Sequence, residues 1–183
     1  KETRILSVRK IIRMGHPTLR QRAQELPAKD IGGPGLHQLL EDMADTLADS
    51  GGIGLAAPQI DVPLRVAIID MPQGSTRYDS DERIPHTVFI NPVITVLDDE
   101  EAGYWEGCLS VPGLRGFVQR PQHVRVDYLD QAGVPRQRAL SGFSATVIQH
   151  EFDHLDGRLY IDHIKTPELL MFEEEWLEYH AAR

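Results

Sequence analysis

The sequence has 183 residues and a formal net charge of −9, with 41% hydrophobic and 26% charged residues. A chain of this length supports one hydrophobic core, so we expect residues 1–183 to form a single domain. No apolar run approaches the ~20 residues of a membrane span, and the acidic balance argues against direct nucleic-acid binding, which needs clustered Lys and Arg. The single cysteine, Cys108, excludes an intramolecular disulfide and fits a reducing compartment.

The first half of the chain predicts one helix and two strands. Apolar residues recur every three or four positions over residues 34–50, and two glycines follow, so this segment is predicted to be an amphipathic helix. Residues 65–70 and 87–97 are rich in β-branched side chains and bounded by Pro, Gly and Asp, which is typical of strands. The polar, turn-rich stretch 72–85 predicts a surface loop or insertion, with a lid over a site as the less favoured alternative.

The second half predicts a third strand and two more helices. Residues 123–130 alternate apolar and polar side chains, as a half-buried strand does. Helical spacing returns over residues 144–155, and Pro167 opens a terminal helix running through residues 168–183. Its apolar side is formed by Leu169, Leu170, Phe172, Trp176 and Leu177. This order of elements, without strand–helix–strand alternation, predicts an α+β fold with mostly antiparallel strands.

The stretch QHEFDHLDG, residues 149–157, lies on the predicted helix 144–155. Residues four apart share a helix face, so His150 and His154 can offer two imidazoles to one metal ion while Glu151 projects beside it. This is the arrangement of H-E-x-x-H sites, in which a carboxylate stands next to a metal-bound water. The alternative is a pair of structural histidines on a half-buried face. The three-residue pattern on a helix favours the metal site.

Such a site requires a third protein ligand. A histidine six residues after His154 is excluded, because Tyr160 occupies that position. A glutamate from residues 173–175 lies at a suitable distance downstream, and Cys108 in EGCLSVPG offers a thiolate. A free cysteine is more often a small buried hydrophobe. Spacing alone leaves the glutamates and Cys108 as alternatives.

A glycine-rich stretch, GGIGLAAPQI at residues 51–60, follows the first helix. Its glycines permit close approach of a ligand to the backbone. The amide of Gln59 is a donor suited to a developing oxyanion. A phosphate-binding loop is not indicated, because neither a following Lys-Ser or Lys-Thr nor the dinucleotide spacing of glycines is present.

Together these three stretches resemble the peptide deformylases. The family motifs GxGLAAxQ, EGCLS and QHExDHLxG stand here, in that order, at residues 52–59, 106–110 and 149–157. The segments GHPTLR at 15–20 and INPVI at 90–94 are similar to family segments as well. The resemblance implies a single deformylase-like catalytic domain over 1–183. It also implies antiparallel sheets packed around a central metal-binding H-E-x-x-H helix, with a helix near each end of the chain.

The resemblance implies removal of the formyl group from the initiator formyl-methionine of nascent polypeptides, with release of formate. It assigns the metal to Cys108, His150 and His154, which removes the glutamates as ligands. It implies Fe²⁺ as the native metal, with Zn²⁺, Ni²⁺ or Co²⁺ as substitutes, although the ligand types alone would suit each of them. The catalytic groups it implies are Glu151 as proton carrier and two oxyanion donors, the Gln59 amide and the Leu109 backbone N–H.

The resemblance also suggests a substrate pocket. Gly54 is expected to approach the substrate backbone, and four apolar residues are candidates for the methionine pocket: Ile53, Tyr104, Phe143 and Val147. For these four, a place in the hydrophobic core is an equally good interpretation. Arg115 is expected near the substrate, and with Glu106 it is expected to hold the cysteine segment in place.

The implied partners are N-formylmethionyl nascent peptides and, transiently, the ribosome, in a bacterial cytoplasm or in an organelle matrix if a transit segment has been removed. Docking through a basic terminal helix is not expected, because the chain ends in the acidic FEEEWLEYHAAR. Two other functions compete with this one. A small metallopeptidase would use a late glutamate as third ligand, and a structural zinc module would close its coordination sphere with a residue such as His163.

Overall fold

Strands dominate the computed structural model, which describes residues 7–72 and 83–181. Within those residues the strands are β1 (Gly54–Ala56), β2 (Val66–Met71), β3 (Ile84–Val96), β4 (Glu101–Cys108), β5 (Val111–Pro121), β6 (His123–Leu129), β7 (Pro135–Ser141) and β8 (Leu170–Phe172). The α-helices are α1 (Pro34–Ser50), α2 (Gly142–Leu155) and α3 (Glu173–Tyr179).

The strands form two antiparallel sheets. A five-stranded sheet has the order β1-β2-β3-β6-β7, and a three-stranded sheet has the order β4-β5-β8. Every pairing within these sheets is antiparallel. The predicted α+β fold with antiparallel sheets, an early helix and a helix near the end of the chain is therefore confirmed.

Both faces of the five-stranded sheet are covered by helices. Along β2, Val66 and Ile68 pack with residues of α1, whereas Ala67 and Ile69 pack with residues of α2. This follows from the two-residue period of a strand, which sends alternate side chains to opposite faces. The continuous apolar run of residues 66–69 is thus explained by burial on both sides.

Helix α1 has clear start and stop signals. Pro34 occupies its first turn, where the missing N–H costs nothing. Gly51 ends it in the left-handed conformation with φ 68°, which glycine adopts without steric cost. The predicted helix 34–50 is confirmed at both ends.

Helix α2 lies between the two sheets. Ala145, Ile148 and Phe152 belong to the core cluster under the five-stranded sheet. On another side, Arg120 of β5 in the three-stranded sheet donates to Asp153 of α2 at 2.8 Å. The helix is therefore central, and both sheets fix its rotation.

The terminal helix was predicted over too long a segment, and this part of the prediction is wrong. Residues 167–169 form a single 3-10 turn, residues 170–172 form β8, and the helix begins only at Glu173. The main chain of β8 pairs with residues 114–116 of β5, and this tertiary pairing overrides the local helical spacing. Trp176 is buried, whereas Phe172 and Leu177 are exposed.

The other predicted segments agree with the structure or lie partly outside it. The strands predicted at 65–70, 87–97 and 123–130 correspond to β2, β3 and β6, although β3 already begins at Ile84. Of the predicted loop 72–85, residues 73–82 lie outside the described residues, and the last two residues belong to β3. None of the helices formed by residues 7–72 and 83–181 has the length and apolar character needed to cross a membrane.

Candidate metal centre and active site

Two elements bring a cysteine and two histidines together. Helix α2 carries His150 and His154 one turn apart, and Cys108 is the last residue of β4. One ligand atom from each residue lies within 4.8 Å of the others, and the Cys108 Sγ is 3.4 Å from the His154 Nε2. A thiolate and two imidazoles at these distances fit a divalent transition-metal ion.

His150 is oriented by a buried ion pair behind it. Its Nδ1 lies 2.7 Å from Oε2 of Glu106, and Glu106 in turn accepts bonds from Arg120 Nε at 2.6 Å and NH2 at 3.1 Å. A carboxylate can only accept, so Nδ1–H donates and Nε2 of His150 is left for a metal. Carboxylate–histidine pairs of this kind commonly support metal ligands.

The electrostatics of the cluster favour the ligand form of the cysteine. Burial alone would raise the pKa of Cys108, but His154 and His150 lower the pKa to about 5. Burial would also lower the pKa of His150, and hydrogen bonds to Cys108 and Glu106 reverse this and raise it well above 6.5. The lowered pKa favours the thiolate, which is the form that metal binding requires.

Glu151 stands beside the three ligands in a buried position. Burial raises the pKa of its carboxyl group. Its Oε2 is buried and has no hydrogen-bond partner among residues 7–72 and 83–181. Gly54 of β1 makes room for it, because a Cβ at that position would lie 2.5 Å from Oε1 of Glu151. A buried carboxylate with a raised pKa and an unused oxygen is suited to accepting and returning a proton.

Gln59 presents its amide N–H₂ to the same region. Its Oε1 accepts from the Ala56 N–H at 2.9 Å, and this bond fixes the orientation of the amide. Its Nε2 then lies 3.2 Å from the Ser110 Oγ and 3.7 Å from the Cys108 Sγ. Leu109 follows Cys108 in the turn between β4 and β5.

These residues open onto a cleft of about 520 Å³. Most of the residues expected to contact substrate line it, namely Ile53, Gly54, Arg115, Phe143 and Val147. Tyr104 does not line this cleft. Its ring packs edge-on against that of Phe143 with centroids 5.3 Å apart, and its hydroxyl lies 3.4 Å from Gln122.

Several cleft residues were missed by the sequence reasoning. Trp105 and the pair Glu173 and Trp176 line the cleft, the last two from the end of the chain. The position of Trp105 directly before the EGCLS motif could have indicated it. The sequence patterns indicate Glu173 only as a candidate metal ligand and Trp176 only as part of a helix face. Their place in the cleft wall has no local signal, because it depends on the pairing of β8 with β5.

The competing ligands are engaged elsewhere. Oε1 of Glu173 accepts from Arg115 NH2 at 2.5 Å. His163 Nε2 lies 2.8 Å from Asp153, which also receives Arg120. In the part of the chain that is described, the group of His, Cys, Asp and Glu residues able to share one metal ion consists of Cys108, His150 and His154.

Comparison with known proteins gives a consistent result. The Polypeptide deformylase family matches residues 8–169. A "Peptide deformylase" of Leptospira biflexa is 38% identical over 170 residues, covering 93% of this chain and 95% of that protein. A "Peptide deformylase 1" of Nitrosomonas europaea is 46% identical over 153 residues, covering 84% of this chain and 85% of that protein. A Met-Ala-Ser-bound class I type b peptide deformylase of Acinetobacter baumannii superimposes with a TM-score of 0.82 at 34% identity, covering 87% of this chain and 100% of that one.

Proposed function

This chain belongs to the polypeptide deformylase family, and from that premise we propose that it hydrolyses the formyl group from the amino-terminal formyl-methionine of nascent polypeptides. The observation that carries the proposal is the convergence of Cys108, His150 and His154 beside the buried carboxylate of Glu151. Water adds to the formyl carbon, the carbon–nitrogen bond breaks, and the products are formate and a free amino terminus.

The metal ligands are Cys108, His150 and His154, and the native metal is Fe²⁺, with Zn²⁺, Ni²⁺ or Co²⁺ able to use the same thiolate and imidazoles. When bound, the ion would supply Lewis acidity that activates the attacking water. The Glu106 carboxylate holds His150 in the tautomer that presents Nε2 to the ion. The lowered pKa of Cys108 supplies the thiolate without a further base.

Glu151 carries the proton in this reaction. Its carboxylate takes a proton from the attacking water, and the protonated acid then gives it to the departing amine nitrogen. The raised pKa of this carboxyl group supports both steps, because a base that is too acidic would not return the proton.

Two donors stabilise the oxyanion that develops on the formyl group. The Gln59 amide, held by its bond from Ala56, donates from one side, and the backbone N–H of Leu109 donates from the β4–β5 turn. A donor fixed before the reaction begins needs no reorganisation when the charge appears.

The methionine side chain occupies the apolar part of the cleft. Ile53, Phe143 and Val147 form its walls, and Gly54 permits the peptide backbone to pass close to Glu151. Tyr104 supports Phe143 from behind. The partners are formylated nascent chains and transiently the ribosome, and the site of action is a bacterial cytoplasm.

The test is formate release from formyl-Met-Ala-Ser by protein purified without oxygen, with acetyl-Met-Ala-Ser as the matched substrate. We expect robust release of formate from the first and at most slow hydrolysis of the second. A metallopeptidase would instead cut a bond between two amino acids of either peptide, and that result would replace the proposal. A closed structural zinc site would release nothing from either peptide and would unfold on chelation.

A further inference from the structure

The chain's last described elements form one wall of the substrate cleft. Strand β8 pairs with residues 114–116 of β5, which places the start of α3 next to Arg115. Glu173 and Trp176 of α3 line the same cleft as Cys108 and Glu151. The acidic start of α3 therefore borders the cleft.

Arg115 is held on three sides. Its Nε and NH2 donate to Oε1 of Glu173 at 3.1 and 2.5 Å. The Trp176 ring lies over its guanidinium with 5.3 Å from Cζ to the ring centroid. A Cβ at Gly107 would lie 2.3 Å from NH1, so the guanidinium rests directly on the backbone beside Cys108.

This arrangement leaves one arm of the guanidinium unused. Two nitrogens are committed to Glu173, whereas NH1 has no hydrogen bond to the residues that the structure describes. The side chain of Arg115 is 23% exposed and that of Glu173 is 36% exposed, so the pair is only partly screened by solvent. The pair is close to neutral, and the exposed carboxylates of Glu174 and Glu175 follow it on α3.

Resting on the proposed function, we infer that Glu173 is a positioning residue that determines specificity for the residues following the formyl-methionine. By holding two arms of Arg115, it fixes the guanidinium against the backbone of Gly107 at the edge of the cleft. By neutralising Arg115, it leaves the rim of the cleft negative, so that the enzyme favours substrates with a basic residue after the methionine over those with an acidic one.

The test compares the parent with Glu173→Gln and Glu174→Gln. Both variants remove one negative charge from α3, but only the first removes the partner of Arg115. The substrates are the carboxy-terminal amides of formyl-Met-Ala-Lys and formyl-Met-Ala-Glu, so that the side chain carries the only difference in charge. We expect the parent to prefer the lysine peptide in kcat/KM by about 5-fold.

In Glu173→Gln the preference is expected to disappear or reverse in favour of the glutamate peptide, because Arg115 keeps its charge and has lost its carboxylate. In Glu174→Gln it should fall by less than 2-fold, roughly as expected for an exposed charge. The inference is wrong if Glu173→Gln lowers kcat/KM equally for the two peptides. It is also wrong if Glu173→Gln and Glu174→Gln change the ratio of the two kcat/KM values equally.

Binding of the products gives a second readout that does not require turnover. Trp105 and Trp176 both line the cleft, so binding of Met-Ala-Lys amide and Met-Ala-Glu amide can be followed by tryptophan fluorescence. The ratio of the two dissociation constants should change in the same direction as the kinetic ratio. A parent protein that releases no formate contradicts the proposed function, and the binding ratio then decides on Glu173 independently.

Discussion

Replacing Gly54 with alanine is expected to remove most of the activity while the fold and the metal ligands remain. The added Cβ would lie 2.5 Å from Oε1, 2.6 Å from Cδ and 2.8 Å from Cγ of Glu151. Ordinary contacts begin near 3.4 Å, so the carboxylate must move by about 1 Å. Glu151 is buried, so it has little space in which to move.

A displacement of this size in a catalytic group costs about 10²-fold in rate. We therefore expect kcat for formate release to fall by about that factor, with the metal content unchanged. An effect confined to KM would indicate instead that the new methyl group obstructs the substrate backbone.

Gly52 provides a matched control two residues earlier in the same stretch. A Cβ there would lie 3.0 Å from the Cδ1 of Leu109, 3.3 Å from the Cδ1 of Leu47 and 3.5 Å from the Oγ of Ser50, and these ends of flexible side chains can rotate away. Gly52→Ala should keep kcat within about 3-fold of the parent. The reasoning is refuted if Gly54→Ala retains the parental kcat, or if both alanine variants lose activity equally.

The other predictions concern the groups around the metal site. Gln59→Ala should lower kcat by about 10²–10³-fold with little change in metal content, as measured by formate release and metal analysis, because it removes one oxyanion donor. Arg120→Met should destabilise the protein by about 3–5 kcal/mol in urea unfolding at pH 7, because two largely buried carboxylates lose their counter-ion. Burial raises the pKa of Glu106 but hydrogen bonds from His150 and Arg120 hold it below 4.5, so this contribution is present above pH 4.5 and is lost as the pH falls through the folded-state pKa. The difference in free energy of unfolding between the parent and Arg120→Met should accordingly shrink in acid. A difference that does not depend on pH would contradict this role of Glu106. In metal-free protein, thiolate absorbance with Cys108→Ala as baseline should titrate near pH 5, and a midpoint near the ordinary value of 9.0 would show that the histidines do not stabilise the thiolate.

The sequence predicts those parts of the fold whose stability is mainly local or periodic. Helix α1 begins at a proline and is followed by a glycine, as the sequence shows. The continuous apolar run of residues 66–69 indicates a strand that is buried on both faces. Strand β8 could not be found in this way, because its three residues become a strand only through pairing with residues 114–116. Strands β4 and β5 are interrupted by glycines, and at two of these the Cβ position is occupied by a side chain from the neighbouring strand, Phe117 at Gly103 and Arg115 at Gly107. These tertiary contacts leave no local strand pattern.

The candidate site also has a part that the local sequence predicts and a part that depends on tertiary packing. The H-E-x-x-H spacing can be recognised on a predicted helix, and Cys108 was assigned as a ligand through the EGCLS motif that surrounds it. The supporting contacts are not local. Glu106 and Arg120 lie 14 residues apart, and Arg120 and Asp153 lie 33 residues apart. The antiparallel pairing of β4 with β5 places Glu106 and Arg120 on neighbouring strands, and the packing of β5 against α2 brings Asp153 to Arg120, so neither pair has a sequence signal.

The most direct test of the central claim measures formate and bound metal together in the parent, Glu151→Gln and Cys108→Ala. We expect one metal ion per chain and formate release in the parent. Glu151→Gln should keep the metal and lose at least about 10²-fold in kcat. Cys108→Ala should lose both, since a thiolate ligand is removed. A Cys108→Ala protein that keeps its metal and still releases formate would contradict the role of Cys108 as a ligand, and a Glu151→Gln protein with parental kcat would contradict the role of Glu151 as proton carrier.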